Sequence, residues 1–153
     1  MKISAFSMRA LCALLNMAVI AVLATALSAY ATAQLVSVQF ISGRSGRVVK
    51  KGVRVWVHFD NGKGREILDL RTDSQGVIQF DAGGATTFQV SAVGFVPCGE
   101  QPIGVPARNY SVEDVLKHGL LTKNECGTLH SEPLRGRLSY FVRPATWWEL
   151  FKN

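Results

Sequence analysis

Cysteine is scarce in this chain of 153 residues, and no two cysteines have the CxxC spacing that zinc sites use. No histidine lies at ligand spacing from a cysteine, and no Ser-His-Asp arrangement is recognisable. The spacing of ligands in a calcium-binding loop does not fit the sequence, because with Asp73 at loop position 3 the final ligand position falls on Ala82 instead of a glutamate. These absences favour a non-catalytic protein that holds no metal and no cofactor.

Only one long apolar run is present, Ala10–Ala29, and it lies near the start of the chain. Lys2 and Arg9 precede it, and the small residues Ala31-Thr32-Ala33 follow it. This layout predicts a signal peptide, residues 1–33, cleaved after Ala33 to give a secreted or periplasmic product. The alternative is an uncleaved anchor, which needs about 20 apolar residues. Because no second run follows, we expect no membrane span after cleavage.

Residues 34–153 are long enough for a single domain with its own core. Only Cys98 and Cys126 fall within this part of the chain. Two cysteines in a small exported domain usually pair, because the compartment is oxidising. The sequence therefore predicts one disulfide bond, Cys98–Cys126.

Basic residues outnumber acidic ones, 17 to 11, and they are spread along the chain apart from one modest cluster. The cluster consists of Arg44, Arg47, Lys50 and Lys51. An exported destination makes nucleic acid a poor partner for it. An anionic envelope surface fits better, and the alternative is a loop that is simply solvated.

Apolar residues alternate with a period of two through most of residues 34–93, which is typical of half-buried strands. In Val53–Phe59 the valines and Phe59 share one face, while Trp56 and His58 face the other way. Turn residues separate such runs, so the sequence predicts an all-β, antiparallel β-sandwich of about seven strands. The runs that we interpret as strands are Leu35–Ile41, Val53–Phe59, Arg65–Arg71, Val77–Asp81, Ala85–Val93 and Arg137–Arg143.

One short helix is predicted in the segment that the disulfide would close. Ser111 is a suitable N-cap, Glu113 and Asp114 suit the first turn, and Gly119 is a suitable stop. The prolines and glycines that follow Gly94 make the rest of the segment irregular. The predicted bond would then hold this loop against the sandwich.

Three segments together carry a family resemblance: Lys51–Val55, Thr72–Phe80 and Val90–Phe95. Their pattern resembles that of the carboxypeptidase-regulatory-like domains of the prealbumin-like superfamily, with Phe95 where the family usually has tyrosine. The resemblance covers about residues 42–95 and implies a prealbumin-like sandwich. It also implies a non-catalytic binding or structural module of the cell envelope or extracellular space. Its partner would be an envelope protein or a surface polysaccharide.

The same superfamily leaves an alternative open, a small secreted enzyme or a metal-binding protein. Intradiol dioxygenases, for example, hold iron with two tyrosines and two histidines. The residues that could supply such a site are Tyr110, Tyr140, His58, His118 and His130.

The end of the chain carries two adjacent tryptophans, Trp147 and Trp148. Neighbouring side chains on a strand or a helical turn point in different directions, so both cannot enter one core. Our first interpretation is that the tail folds back and closes one end of the sandwich, because aromatic residues bury large areas. The alternative is a contact surface for a partner or a sugar, with Arg143 beside the pair and Trp56 as a third aromatic residue.

Overall fold

The computed structural model describes residues 34–60, Gly62, 64–99 and 107–150, and the predicted signal peptide lies outside these ranges. All of them belong to one unit, Ala33–Asn153. They form nine strands and two short helices: β1 Leu35–Ser42, β2 Arg54–Asp60, β3 Arg65–Arg71, β4 Val77–Asp81, β5 Thr87–Ala92, β6 Phe95–Pro97, β7 Tyr110–Ser111, α1 Val112–His118, β8 Leu120–Leu121, β9 Arg137–Pro144 and α2 Trp147–Leu150.

The strands form two sheets that enclose a common core, which confirms the all-β, sandwich-like fold. One sheet has the order β4-β1-β9-β6, with β8 also paired to β9, and the other has the order β3-β2-β5-β7. Phe80 in the first sheet contacts Phe88 and Phe59 in the second, with ring centroids 5.3 and 6.0 Å apart. Large aromatic and β-branched side chains therefore fill the space between the sheets.

Period-two alternation decides which side chains enter this core. In β2, Val55, Val57 and Phe59 are buried, while Arg54 and Trp56 are exposed on the outer face. The inward faces of β1, β4 and β5 follow the same rule. The inward faces predicted from the sequence are thus confirmed.

The expectation of a purely antiparallel sandwich is wrong. The first strand, β1, pairs in parallel with the last, β9, from Ser37↔Arg137 to Ser42↔Val142, and β8 also runs parallel to β9. After β1 the chain passes back and forth between the two sheets through β7, and it then returns to the first sheet for β8 and β9, so that β9 lies beside β1 and runs in the same direction. The six runs interpreted as strands are joined by three short strands that the sequence does not predict, β6, β7 and β8, which gives nine strands instead of about seven.

The predicted disulfide and helix are both confirmed. Cys98 and Cys126 are bonded, with their Cα atoms 5.2 Å apart, and Cys98 is buried. The backbone N–H of Asp114 donates to Ser111 Oγ at 3.1 Å, which caps α1. Within the described residues, no helix has the length and hydrophobicity that crossing a bilayer requires.

Candidate functional site

The segment that follows β9 is anchored to the sandwich by its backbone. The N–H of Ala145 donates to the carbonyl oxygen of Gly94 at 2.9 Å, beside the turn between β5 and β6. Phe95 of β6 pairs with Pro144, the last residue of β9. The short helix α2 therefore begins from a fixed position at the end of the central strand.

Glu149 determines how this helix starts. Its Oε2 accepts hydrogen bonds from the backbone N–H of Thr146 at 2.7 Å and from Thr146 Oγ1 at 2.9 Å. The N–H of Glu149 in turn donates to the carbonyl oxygen of Thr146 at 3.0 Å. The Thr-x-x-Glu spacing is that of a capping box, in which the glutamate reaches back to the N-cap residue just before the helix, here Thr146.

The same carboxylate forms a two-pronged ion pair with Arg143 of β9. Arg143 Nη1 donates to Glu149 Oε2 at 2.8 Å, and Nη2 donates to Oε1 at 2.6 Å. The Glu149 side chain is only 10% exposed and that of Arg143 is 30% exposed. Bidentate pairing fixes orientation as well as distance, so strand and helix are held in one geometry.

With Glu149 facing the protein, the two tryptophans face solvent. Residues on a helix are about 100° apart, so Trp148 and Trp147 project away from the glutamate position. Trp147 is 63% exposed and Trp148 is 73% exposed. Their rings meet edge to face, with centroids 4.9 Å apart. For these two tryptophans, the interpretation that the tail closes the end of the sandwich is therefore wrong. Residues 151–153 lie outside the described ranges.

We call Arg143, Thr146, Trp147, Trp148 and Glu149 the tryptophan cap. The sequence points to its two tryptophans and Arg143 but misses Thr146 and Glu149. The signal that could have found them is the Thr-x-x-Glu spacing directly after Pro144, which marks the start of a helical turn. An aromatic pair held on a capped turn is suited to contact with another molecule.

Trp56, the third aromatic residue expected at this site, lies on the other sheet. It projects from the outer face of β2 and is 39% exposed. The guanidinium of Arg54 lies 5.6 Å from the centre of its ring and also forms a bidentate contact with Asp69. The structure therefore places Arg143 with the tryptophan pair and gives Trp56 a separate setting.

Acid should release the tryptophan cap. Hydrogen bonds from Arg143 first, and then from the backbone of Thr146, lower the pKa of Glu149 from 4.5 to about 2. Because the folded-state pKa is depressed, the stabilising contribution is present above pH 4.5 and is lost as the pH falls towards about 2. We expect tryptophan emission of the wild type to change in this window and that of Glu149→Gln to stay flat.

The matched control is Glu113→Gln, which removes an exposed ion pair with Lys117 on α1. This variant should keep the acid response of the wild type, because it leaves the cap intact. If the emission of Glu149→Gln changed with acid as that of the wild type does, the transition could not be assigned to Glu149.

A polar cavity of about 430 Å³ lies beside the β2–β3 hairpin, and its lining includes His58, Asp60, Arg65, Gln89 and Asn109. Catalysis would need a nucleophile or a general base held by a hydrogen-bonded partner. Within the described residues, His58 forms no hydrogen bond with a carboxylate. The cavity therefore offers convergent polar groups without the orienting contacts of an acid–base pair.

The tyrosines considered for an iron site are part of the core. Tyr110 and Tyr140 meet edge to face across the two sheets, with ring centroids 6.0 Å apart. Burial raises the pKa of Tyr140, and a hydrogen bond from Tyr110 offsets part of that rise. His58 lies on the outer sheet face, and His118 ends α1. Among the described residues, no group of three or more His, Cys, Asp or Glu side chains could hold a metal ion.

Among the described residues, the tryptophan cap is the feature that a purely structural role explains least. Its aromatic rings contribute little to the core, although a buried carboxylate and a bidentate ion pair hold them in place. No protein-family model, no curated protein and no solved structure matches this chain.

Proposed function

We propose that this protein is an exported, non-catalytic binding module of the cell envelope or extracellular space that contacts its partner through the tryptophan cap. One observation carries the proposal: Trp147 and Trp148 are 63% and 73% exposed on a turn that Glu149 and Arg143 hold in place. Tryptophan and arginine are enriched at the energetic centres of interfaces. Large apolar side chains displayed together mark an interaction surface.

The contacts that hold the cap in place support the same proposal. Binding costs free energy whenever flexible side chains become ordered at an interface. In the cap, the capping contact of Thr146 and the ion pair of Arg143 order the backbone before a partner arrives. The edge-to-face contact of Trp147 with Trp148 further limits how the rings can move. A preorganised aromatic pair loses less entropy on binding than a free tail would.

We also infer that the sandwich is prealbumin-like and carboxypeptidase-regulatory-like, and that export follows cleavage after Ala33. The segments behind the resemblance lie on connected elements: Lys51–Val55 leads into β2, Thr72–Phe80 spans a turn and β4, and Val90–Phe95 spans the β5–β6 turn. The disulfide Cys98–Cys126 is compatible with an oxidising compartment outside the cytoplasm.

Affinity capture from native envelope extract tests the proposed function. The bait is the exported, leader-free product, compared with its Trp147→Ala, Trp148→Ala variant. We expect the wild type to retain a partner and the double variant to retain at least about tenfold less, because hot-spot tryptophans dominate interface energies. Peptide mass spectrometry, sugar analysis and lipid analysis identify the partner as a protein, a polysaccharide or a lipid.

Trp56→Ala is the matched control, because it removes an exposed tryptophan from the other sheet. It should retain the partner as the wild type does, and circular dichroism confirms that all three baits are folded. Equal retention by the double variant, or no partner with any bait, would contradict the proposal.

A further inference from the structure

The loop between β1 and β2 carries four basic residues and no acidic one. Its four basic residues are Arg44, Arg47, Lys50 and Lys51, which we call the basic loop, and all four side chains are exposed. No aspartate or glutamate occurs from Gly43 to Phe59. None of the four forms an ion pair with another residue that the structure describes. Their charges are therefore available to an external partner.

The basic loop and the tryptophan cap lie at the same end of the sandwich. Strands β1 and β9 are adjacent and parallel, and their last paired residues are Ser42 and Val142. The N–H of Gly43, the first residue after β1, donates to the carbonyl oxygen of Val142 at 2.9 Å. Neighbouring strands are about 4.8 Å apart, so the two segments leave the sheet side by side. We call this the cap end.

Further apolar and basic side chains belong to the cap end. Leu129 lies against Gly46 of the loop, and Val93 lies in the turn to which Ala145 is bonded. Arg71 donates from Nη1 to the carbonyl oxygen of Gly52 at 3.0 Å, which adds another cation beside the loop. The exposed apolar residues at this end are Val48, Val93, Leu129, Trp147, Trp148 and Leu150.

We infer that the cap end docks on an anionic phospholipid bilayer surface, with the tryptophans at the headgroup level and the basic loop against the lipid phosphates. Tryptophan favours this depth, because its ring is apolar and its N–H is polar. Each basic residue near an anionic bilayer strengthens partitioning about fivefold. The inference rests on the proposed function, since it names the partner of the same cap.

Charge complementarity favours lipid over the other candidate partners. The formal net charge of the chain is +6, of which Lys2 and Arg9 in the predicted signal peptide account for two, so the exported product stays basic. No acidic residue interrupts the basic loop. A neutral polysaccharide would gain nothing from these charges. A bilayer offers both a plane of phosphates and an apolar layer beneath it, which match the basic loop and the aromatic pair together.

Vesicle co-sedimentation tests the inference. The probe is vesicles of equal parts phosphatidylglycerol and phosphatidylcholine, compared with phosphatidylcholine alone, and the protein is the exported product with its N-terminus checked by mass spectrometry. We expect binding to the anionic vesicles only. The double variant Trp147→Ala, Trp148→Ala should weaken this binding by about tenfold or more, and so should the double variant Lys50→Ala, Lys51→Ala. About 1 M salt, which shortens the screening length to about 3 Å, should release the protein.

Trp56→Ala and Arg65→Ala are matched controls that remove a tryptophan and a cation from the other sheet, and both should bind as the wild type does. Equal binding to neutral vesicles, no binding to anionic ones, or undiminished binding by folded loop and cap variants would overturn the inference. If the protein does not bind vesicles but affinity capture still retrieves a protein or polysaccharide through the cap, the proposed function stands and the lipid inference is wrong. If neither experiment detects binding through the cap, the proposed function and the lipid inference are both wrong.

Discussion

A free energy of unfolding lower by about 3.5 kcal/mol is the expected result of replacing both Cys98 and Cys126 by alanine. The two cysteines are 28 residues apart in sequence, and cross-linking removes the corresponding loop-closure entropy from the unfolded chain. Denaturant titration followed by circular dichroism measures the loss as a lower midpoint. It is a large fraction of the stability of a domain of this size.

The effect should reach the tryptophan cap, because the bond braces the strand that carries it. Strands β6 and β8 both pair with β9. Between them, the N–H of Cys98 donates to the carbonyl oxygen of Phe141 at 2.9 Å, and the N–H of Phe141 donates to Thr122 Oγ1 at 2.8 Å. The disulfide therefore ties β6 to the segment that follows β8, and the two together complete one edge of β9.

Reductant is the matched control for the alanine pair. It should destabilise the wild type by a similar amount and leave the double variant unchanged, since no bond remains to be broken. If both thiols of the denatured wild type react with an alkylating reagent before reduction, the bond is absent from the exported protein and the prediction fails.

Local patterns were enough to predict most of the core. Alternation in Val53–Phe59 identifies the inward face of β2, because a strand with one buried face must alternate. The helix could be predicted equally well, because Ser111 and Gly119 each satisfy backbone groups that a helix end leaves unpaired. These features depend on neighbours within a few residues, which a sequence displays directly.

Long-range pairing was beyond the reach of such patterns. Strands β7 and β8 have only two residues each, so no periodicity can develop in them. The parallel pairing of β1 with β9 joins residues about a hundred positions apart and depends on how the chain crosses between the sheets. The tryptophan tail was misjudged for a related reason, because hydrophobicity alone favours burial. In the structure Glu149 faces inward instead, because its carboxylate pairs with Arg143.

Replacing Gly119 by alanine is expected to lower the free energy of unfolding by about 3 kcal/mol or more. Gly119 ends α1 with a φ of 73° and a ψ of 154°, a conformation that residues with a Cβ atom rarely adopt. A Cβ atom there would also overlap the backbone of Leu134, which cannot move aside as a flexible side chain could. Thermal and denaturant unfolding measure the loss.

Gly136→Ala separates the two causes. Gly136 also has a positive φ, 78°, but a Cβ atom there would meet nothing within 4 Å. Its N–H donates to the carbonyl oxygen of Val115, which also accepts the N–H of Gly119, so both glycines serve the same helix end. We expect Gly136→Ala to cost only about 1–2 kcal/mol, the conformational part alone. If the two variants lost the same free energy of unfolding, the segment around Leu134 would have moved aside to make room for the new Cβ atom. Close packing at Gly119 would then not hold α1 against the sandwich.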